Sequence, residues 1–230
     1  MGECFTSFCW EVDSSFDILN LLKQKGYHYF QEEWWWPNSG TFEVVVGAIL
    51  TQNSSWERVE VALNALRSAK LLSLEAISKT TPEILEERIN SVAFYRKKSK
   101  VLITLSQNIL DKFGSFKRFQ EEVDREWLLA QKGIGLESCD SILNYGCFRE
   151  VFVVDNYTQK LVKEFGFEFF DYLELQEWME EGLRGKTLFE GFSKAKEYAI
   201  SHAMIVEFCK KNKKGSKIDI TLLQNLRDHI

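Results

Sequence analysis

Apolar residues recur at helical spacing along most of the chain, and the interruptions in that spacing carry its candidate chemistry. Behind Ser14 or Ser15 as a cap, Ile18, Leu19, Leu21 and Leu22 share one face, and Gly26 closes the run. Residues 41–50 are apolar at almost every position, which predicts a wholly buried helix, with Gly47 and Ala48 small enough for a neighbour to approach closely. Trp56 opens a helix with Val59, Leu63 and Leu66 on its inner face, and Thr81-Pro82-Glu83 is a helix start. Residues 95–113 read as a long amphipathic helix, with Leu102, Leu105, Ile109 and Phe113 in register and Gly114 as the stop. Three more helices are expected at 157–165, 173–183 and 189–209, the last on Phe192, Ala195, Ala199, Ala203 and Val206. With only two prolines and no long repeat, the expected fold class is all-α.

One interruption organises the rest. Two short amphipathic arms, 124–131 and a partner reaching about Tyr145, are joined by Gly133-Ile134-Gly135. Glycine reaches positive φ without steric cost, so two helices can meet closely there while Ile134 plugs the junction. Backbone N–H groups opening the second arm can hold a phosphate oxygen without reading a base. For the tripeptide alone, an ordinary helix link is the favoured reading. An apolar run, 151–154, then delivers a single carboxylate, Asp155, which by pattern is also a helix N-cap.

Composition narrows the setting. A chain of 230 residues, 45% hydrophobic, can bury a substantial core. Its 34 acidic and 29 basic side chains give a net charge of -5, so any polyanion partner needs a local basic face. Candidates are Arg96-Lys97-Lys98-Ser99-Lys100 and Lys210-Lys211-Asn212-Lys213-Lys214; the alternative for each is a solvated helix end or tail, which for the second run is at least as good a reading. Five cysteines, Cys4, Cys9, Cys139, Cys147 and Cys209, show no paired spacing, which argues against a disulfide framework or zinc site and for a reducing compartment. The three histidines form no cluster, and His202 reads as a core residue. With no apolar run of membrane-crossing length and no signal peptide, a cytoplasmic protein without a membrane partner is expected.

Three consecutive indoles, Trp34, Trp35 and Trp36, precede Pro37 and Asn38. Neighbours on a regular element point in different directions, so at least one should be partly exposed. Together with Gly47-Ala48-Ile49-Leu50-Thr51-Gln52-Asn53, the hairpin and the run ending in Asp155, this stretch resembles the helix-hairpin-helix DNA glycosylases related to endonuclease III. The branch it resembles is the type III 3-methyladenine DNA glycosylases, over residues 14–211.

The resemblance implies two helical domains with a DNA-binding cleft between them. Residues 42–151 would form the central one, with the helix-hairpin-helix at about 124–146; residues 14–41 and 152–230 would form the second, and 1–13 an extension of unknown role. It implies a catalytic Asp155, a base pocket of Trp35, Trp36, Pro37, Trp56 and Glu137, and DNA contacts from Gln52, Lys132, Gly133, Ile134 and Gly135. Trp34 reads as a brace, Trp56 by pattern alone as a core anchor, and Gln52 as a loop or capping residue. By resemblance Gln52 is the wedge that fills the gap left by a flipped nucleotide.

The strand-cutting branch places a lysine two residues after the second glycine, where this chain has Glu137. A carboxylate forms no imine, so the implied activity is a monofunctional glycosylase releasing alkylated purines from duplex DNA. Relatives that hold an iron-sulfur cluster use four clustered cysteines, and only Cys209 lies in that region. No cofactor, no metal residue and a monomeric chain are expected. A monovalent cation on hairpin carbonyls would leave no side-chain signature. Glycosylases for other damaged bases, and a non-catalytic DNA-binding hairpin, are the competing readings.

Overall fold

The computed structural model describes residues 12–224, so Cys4, Cys9, His229 and nearly all of the 1–13 extension lie outside the described residues. The described chain is helical almost throughout. Residues 31–153 and 194–199 form one compact unit; residues 12–30, 154–193 and 200–224 form another. Relative to the expected partition, the central unit also takes in 31–41 and the first turn of the long helix near the C-terminus. The reason is packing: Trp36 lies against Gly47, where an added Cβ would meet the indole at 3.2 Å.

The central unit is built around α2 (Phe42–Leu50), every residue of which is buried. Thr41 caps it, its Oγ1 accepting from the Glu43 N–H at 3.3 Å. Glu43 is satisfied within this apolar setting by the Asn38 amide and by Arg67, whose Nη2 donates to both carboxylate oxygens. Around α2 run α3 (Trp56–Ser68), α4 (Leu74–Lys79), α5 (Pro82–Ile89), and α6 (Tyr95–Phe113), which stops at left-handed Gly114. After α7 (Phe116–Glu122) come the hairpin arms α8 (Arg125–Leu129) and α9 (Leu136–Ser141), the latter widening into a π turn, Ile142–Gly146.

The other unit begins with α1 (Ser15–Gln24), whose Ser14 and Asp17 form a reciprocal capping box. Ser15 reaches across to a different helix, its Oγ donating to Met179 O at 2.9 Å. There α1 packs on α11 (Tyr172–Gly182) so closely that a Cβ on Gly182 would lie 2.0 Å from Ser15 Oγ. α10 (Asn156–Glu164) follows Asp155. The helix expected over 189–209 begins only at Lys194, as α12 (Lys194–Lys211). Gly185 and Gly191, both at positive φ, hold the preceding segment as a loop, although Leu188 and Phe189 are buried. A two-stranded ribbon, β1 (Lys213–Lys214) and β2 (Lys217–Ile218), and α13 (Thr221–Gln224) complete this unit. Among the described residues no helix is long and apolar enough to cross a membrane.

Candidate active site

Three groups of residues carry the candidate chemistry. The first is aromatic and lies in the central unit. Trp36 is 8% exposed and forms a floor, with Tyr145 at 5.2 Å between centroids and Trp56 edge-on at 5.7 Å. Trp35 and Trp56 are half-buried above it, and Trp35 also lies 5.9 Å from the Tyr145 ring. Trp34 turns aside to pack on Phe148 at 4.5 Å, which is the brace its position suggested. Three neighbouring indoles point three ways because Trp35 adopts φ 64, a left-handed conformation that a bulky side chain seldom takes. Pro37 continues the turn, and Ser39 Oγ donates to Trp36 O at 2.7 Å. Tyr145 was not among the candidates from sequence. Its buried hydroxyl donates to Ala199 O at 3.0 Å, which fixes the ring against both indoles.

The second group joins the end of α2 to the hairpin. Gly133 has φ +89, and an added Cβ would strike Val101 Cγ2 at 2.7 Å, so conformation and space both exclude a side chain. Gly135 differs: it adopts φ -100 as the N-cap of α9 and has nothing within 4 Å of an added Cβ. Ile134 is buried as the plug, while Lys132 and Glu137 lie on either side of it, both exposed. The arms are locked by Arg125, whose fork donates to the fully buried Asp140 carboxylate at 2.8 and 3.0 Å. Gln52 does not point freely outward: its amide donates to Gly133 O at 3.0 Å and to Ser138 Oγ at 2.9 Å. Ser138 Oγ in turn donates to Ala48 O.

Lys98 lies beneath this bridge. In sequence it belongs to a basic run that could be a solvated surface, yet it is 3% exposed. Its ammonium donates to Leu50 O at 2.8 Å, Gln52 O at 2.6 Å and Ser54 Oγ at 3.2 Å. A cation at the carbonyl end of α2 is favourably placed against the helix dipole. Burial nonetheless lowers its pKa to about 8.

The third group surrounds Asp155 in the other unit. The carboxylate caps α10: Oδ1 accepts from the Thr158 N–H at 2.8 Å and from Thr158 Oγ1 at 3.0 Å. Oδ2 lies 3.7 Å from His202 Nε2 on α12, and the His202 side chain is 5% exposed. Burial by itself would raise the Asp155 pKa, but His202 and the two Thr158 bonds outweigh it and hold the carboxyl below its usual range. His202 is thus a core residue, as its position suggested, with a carboxylate neighbour that its sequence distance concealed.

The described cysteines are buried free thiols, Cys139, Cys147 and Cys209, each pushed up to about 12 by burial. Cys209 Sγ donates to Tyr157 O at 3.7 Å. Among the described residues no three His, Cys, Asp or Glu side chains gather as metal ligands would. This donor set does not fit the four-thiolate ligation of an iron-sulfur cluster.

Comparisons with known proteins agree with this geometry. The profile of the HhH-GPD superfamily of base excision DNA repair proteins matches residues 46–185. A Methanocaldococcus jannaschii protein named as a DNA repair glycosylase is 36% identical over 206 residues, covering 86% of this chain and 90% of that one. The structure of H. pylori 3-methyladenine DNA glycosylase bound to 1,N6-ethenoadenine superposes with a TM-score of 0.84 at 42% identity, covering 87% of this chain and 99% of that one. A non-covalent endonuclease III–DNA complex shares the fold, with a TM-score of 0.71 at 20% identity over 92% of this chain and 94% of that one. The chain belongs to the HhH-GPD superfamily of base excision DNA repair proteins and is a DNA glycosylase with the endonuclease III-like fold.

Proposed function

We propose that this glycosylase is monofunctional and releases alkylated purines, chiefly 3-methyladenine, from duplex DNA, leaving an abasic site. The observation that carries the reading is the state of Asp155, a carboxylate capped by Thr158, faced by His202 and held ionised. An ionised, rigid carboxylate stabilises the oxocarbenium charge that develops on the sugar as the glycosidic bond breaks. It can also orient or deprotonate the water that attacks the anomeric carbon.

A purine methylated at a ring nitrogen is cationic and already a good leaving group, so little acid catalysis is required. Recognition then rests on shape and charge. The faces of Trp35 and Trp56 offer stacking and cation–π attraction of roughly 1–3 kcal/mol, with Trp36 as the floor that sets their spacing. Extrusion costs a few kcal/mol and is cheapest for a damaged, poorly paired base. The hairpin holds the backbone through the N–H groups opening α9, and Gly135 leaves open space for a phosphate to approach. Gln52 acts as the wedge by exchanging its two hairpin bonds for bonds within the duplex. Glu137 stands where the strand-cutting branch has its lysine, so no Schiff base forms. The similarity to the H. pylori enzyme supports the alkylpurine assignment.

The decisive experiment is release of bases from methylated duplex DNA by the wild type and Asp155→Asn, with strand breaks scored before and after alkali. Asparagine caps a helix as well as aspartate does, so the variant keeps its fold. Free 3-methyladenine with alkali-dependent breaks, lost in the variant, is the expected result. Breaks without alkali, or excision confined to oxidised or mismatched bases, would sink the proposal.

A further inference from the structure

The second basic run, ambiguous in sequence, folds as an anchored ribbon. Lys213–Lys214 pairs antiparallel with Lys217–Ile218 around left-handed Gly215. Its base is fixed by buried Ile218 and Ile220 and by the Asp219 N–H donating to Asn212 O at 2.9 Å. Its tip, 213–217, is exposed throughout.

The lysines of this segment fall into two sets. Lys210 and Lys214 face carboxylates, Glu207 at 3.4 Å and Asp219 at 2.6 Å, and Lys211 sits over the Tyr27 ring. Lys213 and Lys217 have no carboxylate partner among the described residues. Lys217 stands directly opposite Lys214 in the ladder. Like charges in that position are unfavourable, and Asp219 cancels only the Lys214 side. An acidic protein therefore presents two uncompensated ammonium groups on a rigid protrusion, an arrangement suited to a polyanion.

The ribbon's position in its own unit gives a register. Asp155 caps the first turn of α10, and the Ile218 N–H donates to Glu164 Oε1 at the last residue of that helix. A nine-residue helix spans about 13 Å at ~1.5 Å per residue. At ~3.4 Å per nucleotide along one strand, this corresponds to about four nucleotides. We propose that the 213–217 ribbon is a second DNA-backbone contact, with Lys213 and Lys217 pairing with phosphates about four nucleotides from the target and reading no base. The register rests on the catalytic reading of Asp155; the contact itself does not.

The experiment compares the wild type, Lys213→Ala/Lys217→Ala, and Lys79→Ala as an exposed control on the central unit. Affinity for duplex carrying an abasic-site analogue is measured from low to moderate salt, and melting temperatures confirm the fold. Two lost phosphate contacts should flatten the slope of log K against log salt by about 1.8, at ~0.9 per phosphate. Single-turnover excision at saturating enzyme should be unchanged, as should the slope for Lys79→Ala. Trimming the duplex to two base pairs beyond the lesion on one side should erase the difference between wild type and double variant.

An unchanged slope for the double variant overturns the contact, and a difference that survives trimming on either side overturns its register. Excision by a wild type whose slope does not depend on these lysines rejects the ribbon and leaves the proposed function standing. A slope change without release of methylated bases does the reverse.

Discussion

Replacing Lys98 with methionine separates the two consequences of burying an ammonium. The variant fills similar volume but removes the donor serving Leu50 O, Gln52 O and Ser54 Oγ. Hydrogen bonds from a charged donor contribute roughly 1.5–3 kcal/mol each, and a buried acceptor left without its donor costs roughly 1–3 kcal/mol. Gln52 O and Ser54 Oγ are only partly buried and can rehydrate, so the full sum is not lost. Removing the charge also relieves the desolvation expressed in its pKa, lowered from 10.5 to about 8. The net expectation at pH 7 is a loss of about 2 kcal/mol.

The pH dependence follows from the direction of that shift. Between about pH 8 and 10.5 the unfolded chain holds the Lys98 proton and the folded chain does not, so this group makes the wild type more stable as pH rises. Lys98→Met lacks that gain. The stability difference between the two proteins should therefore widen by roughly 2 kcal/mol from pH 8 to pH 10, at ~1.4 kcal/mol per pH unit. Urea unfolding of both proteins at pH 7, 8 and 10 measures it. A difference that stays constant or narrows with pH would refute this account of Lys98. Because Gln52 O is one of the three acceptors, the variant should also lose affinity for a duplex with an abasic-site analogue.

Other expectations follow from the same geometry. Arg125→Met removes the fork that faces the Asp140 carboxylate, which is 0% exposed, and should cost about 3–5 kcal/mol by chemical denaturation. Gly133→Ala meets Val101 at positive φ and should destabilise by about 1–3 kcal/mol; Gly135→Ala should stay within about 0.5 kcal/mol of the wild type in melting yet bind duplex DNA more weakly. His202→Gln withdraws the imidazole that helps keep Asp155 below its usual range. The Asp155 pKa should rise, and the acid limb of the single-turnover excision profile should move to higher pH. An unmoved limb would show that His202 does not set the ionisation of Asp155.

The helices were legible because helical periodicity is local: the faces of α1, α3 and α6 and the buried α2 can be read within windows of a few turns. The hairpin and Asp155 were legible because glycines and a carboxylate interrupt those patterns. Features that depend on distant partners were not. Lys98 looks like its basic neighbours until Leu50 O and Gln52 O are brought to it. His202 and Asp155 meet only when α12 packs beside α10. The loop before α12 retained an apolar pattern, Leu188 and Phe189, that mimics helix, and only the backbone at Gly185 and Gly191 distinguishes the two. Trp36 became a floor because Gly47 leaves a gap in α2 wide enough for an indole.

On the proposed reading of Trp35 as part of the base pocket, its backbone shows what the fold gives up for that site. At φ 64 a tryptophan is held in a conformation that glycine adopts without penalty and that costs other residues about 1–2 kcal/mol. Trp35→Gly removes that strain and also deletes the half-buried ring, so a gain in backbone freedom from strain opposes a loss of packing. A smaller or glycine-like residue here would relieve the backbone strain and, on the proposed reading of this position, remove its grip on a flipped base. On that reading, position 35 is where durability and repair capacity compete for the same side chain, and stabilised variants of this enzyme should be checked for excision before anything is concluded from their melting temperature.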